Sequence, residues 1–166
     1  MQKPVHPMLV HFPIALLLTS LLADAAYFFT AFEALRHAGW WMLAAASAGG
    51  LLAVMAGIFD MRRASLAEAV HERVHRHMWV GFALLVVICG LAAWRWTFYD
   101  DPGKPLTMLY LDTAFLAAAL AAFQGWLGGE LVFTHGVFVG PAKQAAAAAG
   151  PAHTGDKPAA GPHASH

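Results

Sequence analysis

The chain has 166 residues, 59% hydrophobic and only 12% charged, with a mean hydropathy of +0.55; soluble domains are roughly a quarter charged, so an ordinary water-soluble domain is excluded. Lys plus Arg and Asp plus Glu both number 10, which leaves no basic field to gather nucleic acid. The single cysteine, Cys89, lies in an apolar run and excludes an internal disulfide framework.

Four apolar stretches follow one another, each close to the ~20 residues that cross a bilayer as a helix. They run from about Met8 to Phe29, Trp40 to Phe59, His77 to Trp96 and Leu106 to Leu127. Trp40, Trp41, Trp79, Trp94, Trp96, Tyr99 and Trp126 stand near their ends, where an interfacial belt places aromatics. These features predict an all-α integral membrane protein, an antiparallel four-helix transmembrane bundle over residues 1–140. From 141 to 166 the chain is rich in Ala, Gly and Pro, too poor in large apolar groups to offset ordering entropy, and reads as a disordered tail. A cleaved signal peptide is the rival reading of the first stretch, with Ala23-Asp24-Ala25 as the cleavage site. Only Lys3 charges its n-region, however, and apolar sequence continues through Phe29.

Within the spans, Pro7 and Pro13 bracket the first histidines, so the helix is either kinked beside His11 or begins at Pro13. Ser65-Leu66-Ala67-Glu68 is a capping box. A third helix starting there and reaching Trp96 would be roughly 45 Å long, more than the ~30 Å hydrocarbon core, so its first turns should extend into the cytoplasm or lie in the interface. Its stripe Val70, Val74, His77 and Gly81 should face the bundle. Gly49, Ala53 and Gly57, like Gly125, Gly128 and Gly129, read as plain packing positions between helices. Lys3, Arg62, Arg63, Arg73, Arg76, Lys143 and Lys157 would share one side, against Arg36, Arg95 and Lys104 on the other. That bias predicts both termini in the cytoplasm.

Polar groups inside a membrane are costly and mark function by default. His6, His11, Asp60, His71, His75, His77, Glu130 and His135 all fall at the cytoplasmic ends of the four helices. Nearer the middle or the outer half are Asp24, Arg95, Asp112 and Gln124, with Arg95 expected to pair with Asp24 or Asp112.

HPMLVHFPIALL at the start and GWLGGELVFTHG at the end of the last span resemble the two signatures of a bacterial family of small four-helix membrane proteins. That family is catalogued as a transmembrane domain of unknown function. Asp60 in GIFD and a histidine opening the third span match its pattern too, so the resemblance covers about residues 6 to 140. It implies the four-helix fold and a bacterial inner membrane, and supplies no activity.

The chemistry therefore rests on the residues. Haem b needs two imidazoles on facing helices and basic groups for its propionates; His11 and His77 would be the ligands, with His75 as substitute and Arg73 and Arg76 at the propionates. A divalent transition metal would draw on His11, Asp60, His77, Glu130 and His135. Either cofactor predicts electron transfer with a redox partner protein. His71-Glu72-Arg73-Val74-His75 also matches the H-E-x-x-H pattern of a zinc protease. The alternative is a structural or accessory protein whose polar ring caps helices and whose arginines bind anionic lipid.

Overall fold

The structure, a computed structural model, describes residues 4–63, 68–97 and 106–137. Among these it is helical throughout: a one-turn α1 (His6–Leu9), then α2 (His11–Thr30), α3 (Glu33–Arg63), α4 (Glu68–Trp96) and α5 (Met108–Phe133). Four segments, His6–Thr30, Glu33–Arg63, Val70–Trp96 and Met108–Phe133, are long and apolar enough to cross a membrane. The capping box at Ser65, the tail from 141 onward, and Lys3, Lys104, Lys143 and Lys157 lie outside the described residues.

Helix α2 packs on α3, α3 on α4 and α4 on α5, and α5 returns to α2. Contacts between neighbours run in opposite order along the two helices. His6 meets Ala53 while Ser20 meets Gly39, and His77 meets Gln124 while Trp94 meets Tyr110. The core is lined by Leu17, Leu43, Leu84, Ile88 and Leu91, with Ala46, Ala114, Ala117 and Ala121 where helices approach closely. Close approach matters in lipid, where packing rather than water release holds helices together. Large apolar side chains such as Phe29, Phe115, Leu116 and Trp126 point outward.

Local chemistry sets the helix ends. The helical path begins at His6 with Pro7 in its first turn and breaks at Val10. Pro13, with no N–H to give, leaves the carbonyl of Leu9 without its helical donor. Helix α2 stops at Ala31, which adopts a left-handed conformation (φ 54°). Helix α3 starts at Glu33, a full two turns before Trp40. The polar pattern of Glu33-Ala34-Leu35-Arg36-His37 reads as a loop by hydropathy, yet Arg36 and Gly39 are buried against the bundle. Thr107 caps α5 by accepting the amide of Tyr110 at 3.2 Å. At the other end Gly136 takes φ 63° and Val137 donates its amide to the Leu131 carbonyl at 2.9 Å. This closes the end of α5 with a bond wider than a Schellman turn, with Val137 packed on Leu131 and Val74.

Candidate functional site

The buried stripe of α2 is Pro13, Leu17, Ser20 and Asp24. Its three- and four-residue steps, carried back through the break at Val10, reach His6 rather than His11. Residues five apart on a helix point roughly 140° away from one another, so only one of the two histidines can face inward. His6 is half-buried, and His11 is exposed.

His6 is fixed from two sides. Asp60 Oδ2, on the last turns of α3, accepts the amides of Val5 at 2.7 Å and His6 at 2.8 Å. The His6 ring bonds through Nδ1 to the Ala53 carbonyl at 2.7 Å. A carbonyl can only accept, so Nδ1 carries a proton, and in the neutral ring Nε2 keeps its lone pair. Gly57 makes room for this ring: a Cβ there would lie 3.1 Å from Nδ1.

The imidazole of His77, on α4, meets His6 edge to face, with centroids 6.0 Å apart and planes at 87°. Gln124 of α5 holds it. The amide nitrogen Nε2 of Gln124 donates to the His77 carbonyl at 3.0 Å and lies 3.2 Å from His77 Nε2. Two glycines accept this arrangement. A Cβ at Gly81 would stand 2.7 Å from the Gln124 amide, and one at Gly128 would stand 3.1 Å from His77 Cε1. Gly57, Gly81 and Gly128 thus shape a polar site, and only Gly125 of the fourth span's glycines has open space where its Cβ would be. Two buried atoms of the site, His77 Nδ1 and Gln124 Oε1, have no hydrogen-bond partner.

The remaining expected ligands lie apart from this pair. Glu130 accepts Arg73 at 2.7 Å and has His135 Nε2 at 3.7 Å. Arg76 faces the exposed Glu72 at 3.8 Å, and His71 and His75 pack on each other with centroids 4.5 Å apart. Among the described residues no group of three or more His, Cys, Asp and Glu side chains is placed to hold a metal ion. The H-E-x-x-H segment accordingly presents two histidines without a third ligand among the described residues.

At the opposite end of the bundle, Asp24 and Arg95 are buried together. Arg95 donates to Asp24 Oδ1 through Nε at 3.2 Å and Nη2 at 3.0 Å, and Nη2 also reaches the Arg36 carbonyl at 2.7 Å. Tyr110 donates its hydroxyl to Asp24 Oδ2 at 2.9 Å. Asp112 is exposed, so the partner of Arg95 is Asp24. This node joins α2, α3, α4 and α5.

By its position in the sequence Gln124 groups with the outer polar residues, and Tyr110 carries no signal of a role. The repeat Tyr110, Ala114, Ala117, Ala121 marks the buried face of α5, and Gln124 is its next step. Glycines one or two turns from a polar residue on a facing helix were the other available signal.

The model of one family, described as "Predicted membrane protein (DUF2231)", matches residues 2–141. No curated protein and no solved structure matches the chain.

Proposed function

The chain belongs to that family of membrane proteins, and we propose that it works as an electron-transfer protein of the bacterial inner membrane through a haem b or transition-metal group held at His6 and His77. One observation carries the reading: two imidazoles from separate spanning segments meet at 6.0 Å, and the His6 ring is locked by Nδ1 to a backbone carbonyl. That lock is the arrangement by which proteins fix a ligating histidine, because it presents Nε2 as a lone pair. The imidazole of His77 stands in the same site, with no hydrogen-bond partner at its Nδ1. Haem is favoured over a bare metal ion, since haem iron asks for at most two protein ligands and a structural or catalytic metal ion for three or four. The group itself supplies the redox change; the protein fixes the rings and shields them from water. The arginines that flank the loop between α3 and α4 support an orientation with both termini in the cytoplasm.

The test is a reduced-minus-oxidised absorption spectrum of the detergent-purified full chain, expressed with haem precursor, together with metal analysis. A Soret and α-band pair that disappears in His6→Ala and in His77→Ala, and survives in His11→Ala, is the expected result. Folded protein with a flat spectrum and no bound metal overturns the proposal. A periplasm-only reporter fused after Gly140 should stay inactive; activity would reverse the orientation.

A further inference from the structure

The outer face of α3 changes character at one point. Leu51, Leu52, Met55, Ile58 and Phe59 are exposed, and their three- and four-residue steps keep them on one side of the helix. One turn further the same side carries Arg62 and Arg63, both exposed. With 31 residues α3 is roughly 46 Å long, more than the ~30 Å hydrocarbon core. Its last turn therefore reaches the headgroups, with lipid chains against the apolar stripe beneath.

These two arginines differ from the others of the bundle in having no carboxylate partner among the described residues. Arg73 is taken by Glu130 at 2.7 Å and Arg76 faces Glu72 at 3.8 Å. Asp60, three residues before Arg63, is buried, and its Oδ2 receives the amides of Val5 and His6. At the opposite end Arg36 and Arg95 are buried in the bundle. The Arg63 guanidinium lies 3.7 Å above the centroid of the Phe59 ring. Stacking uses the face of a guanidinium and leaves its edge N–H groups, which match phosphate oxygens two at a time.

We infer that Arg62 and Arg63 bind the phosphate of an anionic phospholipid whose acyl chains lie along Leu52, Met55 and Phe59. Charge complementarity selects this occupant: unpaired cations at the edge of an apolar stripe suit a molecule anionic at its head and apolar beneath. A zwitterionic lipid is disfavoured, because its own ammonium group competes for the phosphate. Of the four arginines expected at anionic lipid, Arg73 and Arg76 drop out. The inference does not depend on a bound cofactor, since neither Arg62 nor Arg63 holds His6 or His77.

The experiment is native mass spectrometry of the detergent-purified full chain, titrated separately with phosphatidylglycerol and with phosphatidylcholine of the same acyl chains. The first phosphatidylglycerol should bind at least about 5-fold more tightly, the factor one arginine supplies beside an anionic headgroup. Arg62→Gln/Arg63→Gln should abolish that preference. The single variants Arg62→Gln and Arg63→Gln should each reduce it, and they carry the test if the double variant fails to fold. Arg73→Gln/Arg76→Gln removes as much charge and should keep the preference. Equal affinity for the two lipids, a preference that survives loss of Arg62 and Arg63, or an equal loss in both double variants overturns the inference. Displacement of the lipid by equimolar inorganic phosphate overturns it too, as do dimers that form without lipid, which would assign the stripe to a second copy.

Discussion

Asp24 and Arg95 meet at 3.0 Å with side chains 1% and 0% exposed, so each is the counter-ion that makes the other tolerable inside the bundle. Removing one partner of a buried pair leaves an uncompensated charge, which costs about 3–5 kcal/mol. Asp24→Asn and Arg95→Gln should each destabilise the protein by about that much. The double variant should lose clearly less than the sum of the two single losses, because neither charge is then left alone. Denaturant unfolding in bicelles, run as a double-mutant cycle, measures this. Additive losses would mean the pair is held by its surroundings rather than by mutual attraction.

Gly39 lets α3 approach that pair. A Cβ at residue 39 would run into Asp24 Oδ1, and the Gly39 carbonyl accepts the Ser20 hydroxyl at 2.8 Å. The carboxylate is tied on both oxygens and cannot swing aside. Gly39→Ala should therefore cost about 1–3 kcal/mol, as overpacking does, even though alanine favours helices. Thermal unfolding in detergent reads the sign: a stabilised Gly39→Ala would show that helix propensity outweighs the contact.

The four spans are legible because each is an apolar run of bilayer length, and the cost of a lone charge in lipid calls for a carboxylate beside Arg95, Asp24 or Asp112, of which the fold brings Asp24. The choice of histidine was not legible from hydropathy, since His6 and His11 flank the same apolar start. It follows instead from carrying the Asp24, Ser20, Leu17, Pro13 stripe through the Val10 break, where two prolines obscure the period. The start of α3 was hidden for a different reason. Arg36 is buried as a polar residue, its Nε bonded to Glu33, while its carbonyl receives Arg95, and hydropathy cannot show partners. Glycines at 57, 81 and 128 look like packing positions in one dimension and become cradles for imidazole and amide groups only once the facing helix is known.

Ala31 carries backbone strain that a substitution can relieve. It ends α2 at φ 54° and donates its amide to the Tyr27 carbonyl at 2.8 Å. The left-handed conformation costs an L-residue roughly 1–2 kcal/mol and glycine almost nothing. Ala31→Gly should thus gain about 1 kcal/mol, reduced somewhat by the greater freedom of glycine in the unfolded chain. A small rise in thermal midpoint checks it. A fall would mean that this turn relaxes in the membrane to a conformation alanine prefers.

Asp60 ties the stability of α1 to the site it serves. Its Oδ2 takes two amides from the first turn, and hydrogen bonds to a charged acceptor are worth about 1.5–3 kcal/mol each. Asp60→Ala should release Val5 and His6, so their amides should exchange with solvent at least about 10-fold faster, a factor that corresponds to ~1.4 kcal/mol. The His6 ring would remain bonded to the Ala53 carbonyl but on a backbone no longer held. Any group ligated by His6 should then bind more weakly, without the complete loss expected of His6→Ala. Unchanged exchange at Val5 and His6 would show that Pro7 and the packing of α1 on α3 fix this turn unaided. Asp60 would then be a charge whose role lies elsewhere in the site.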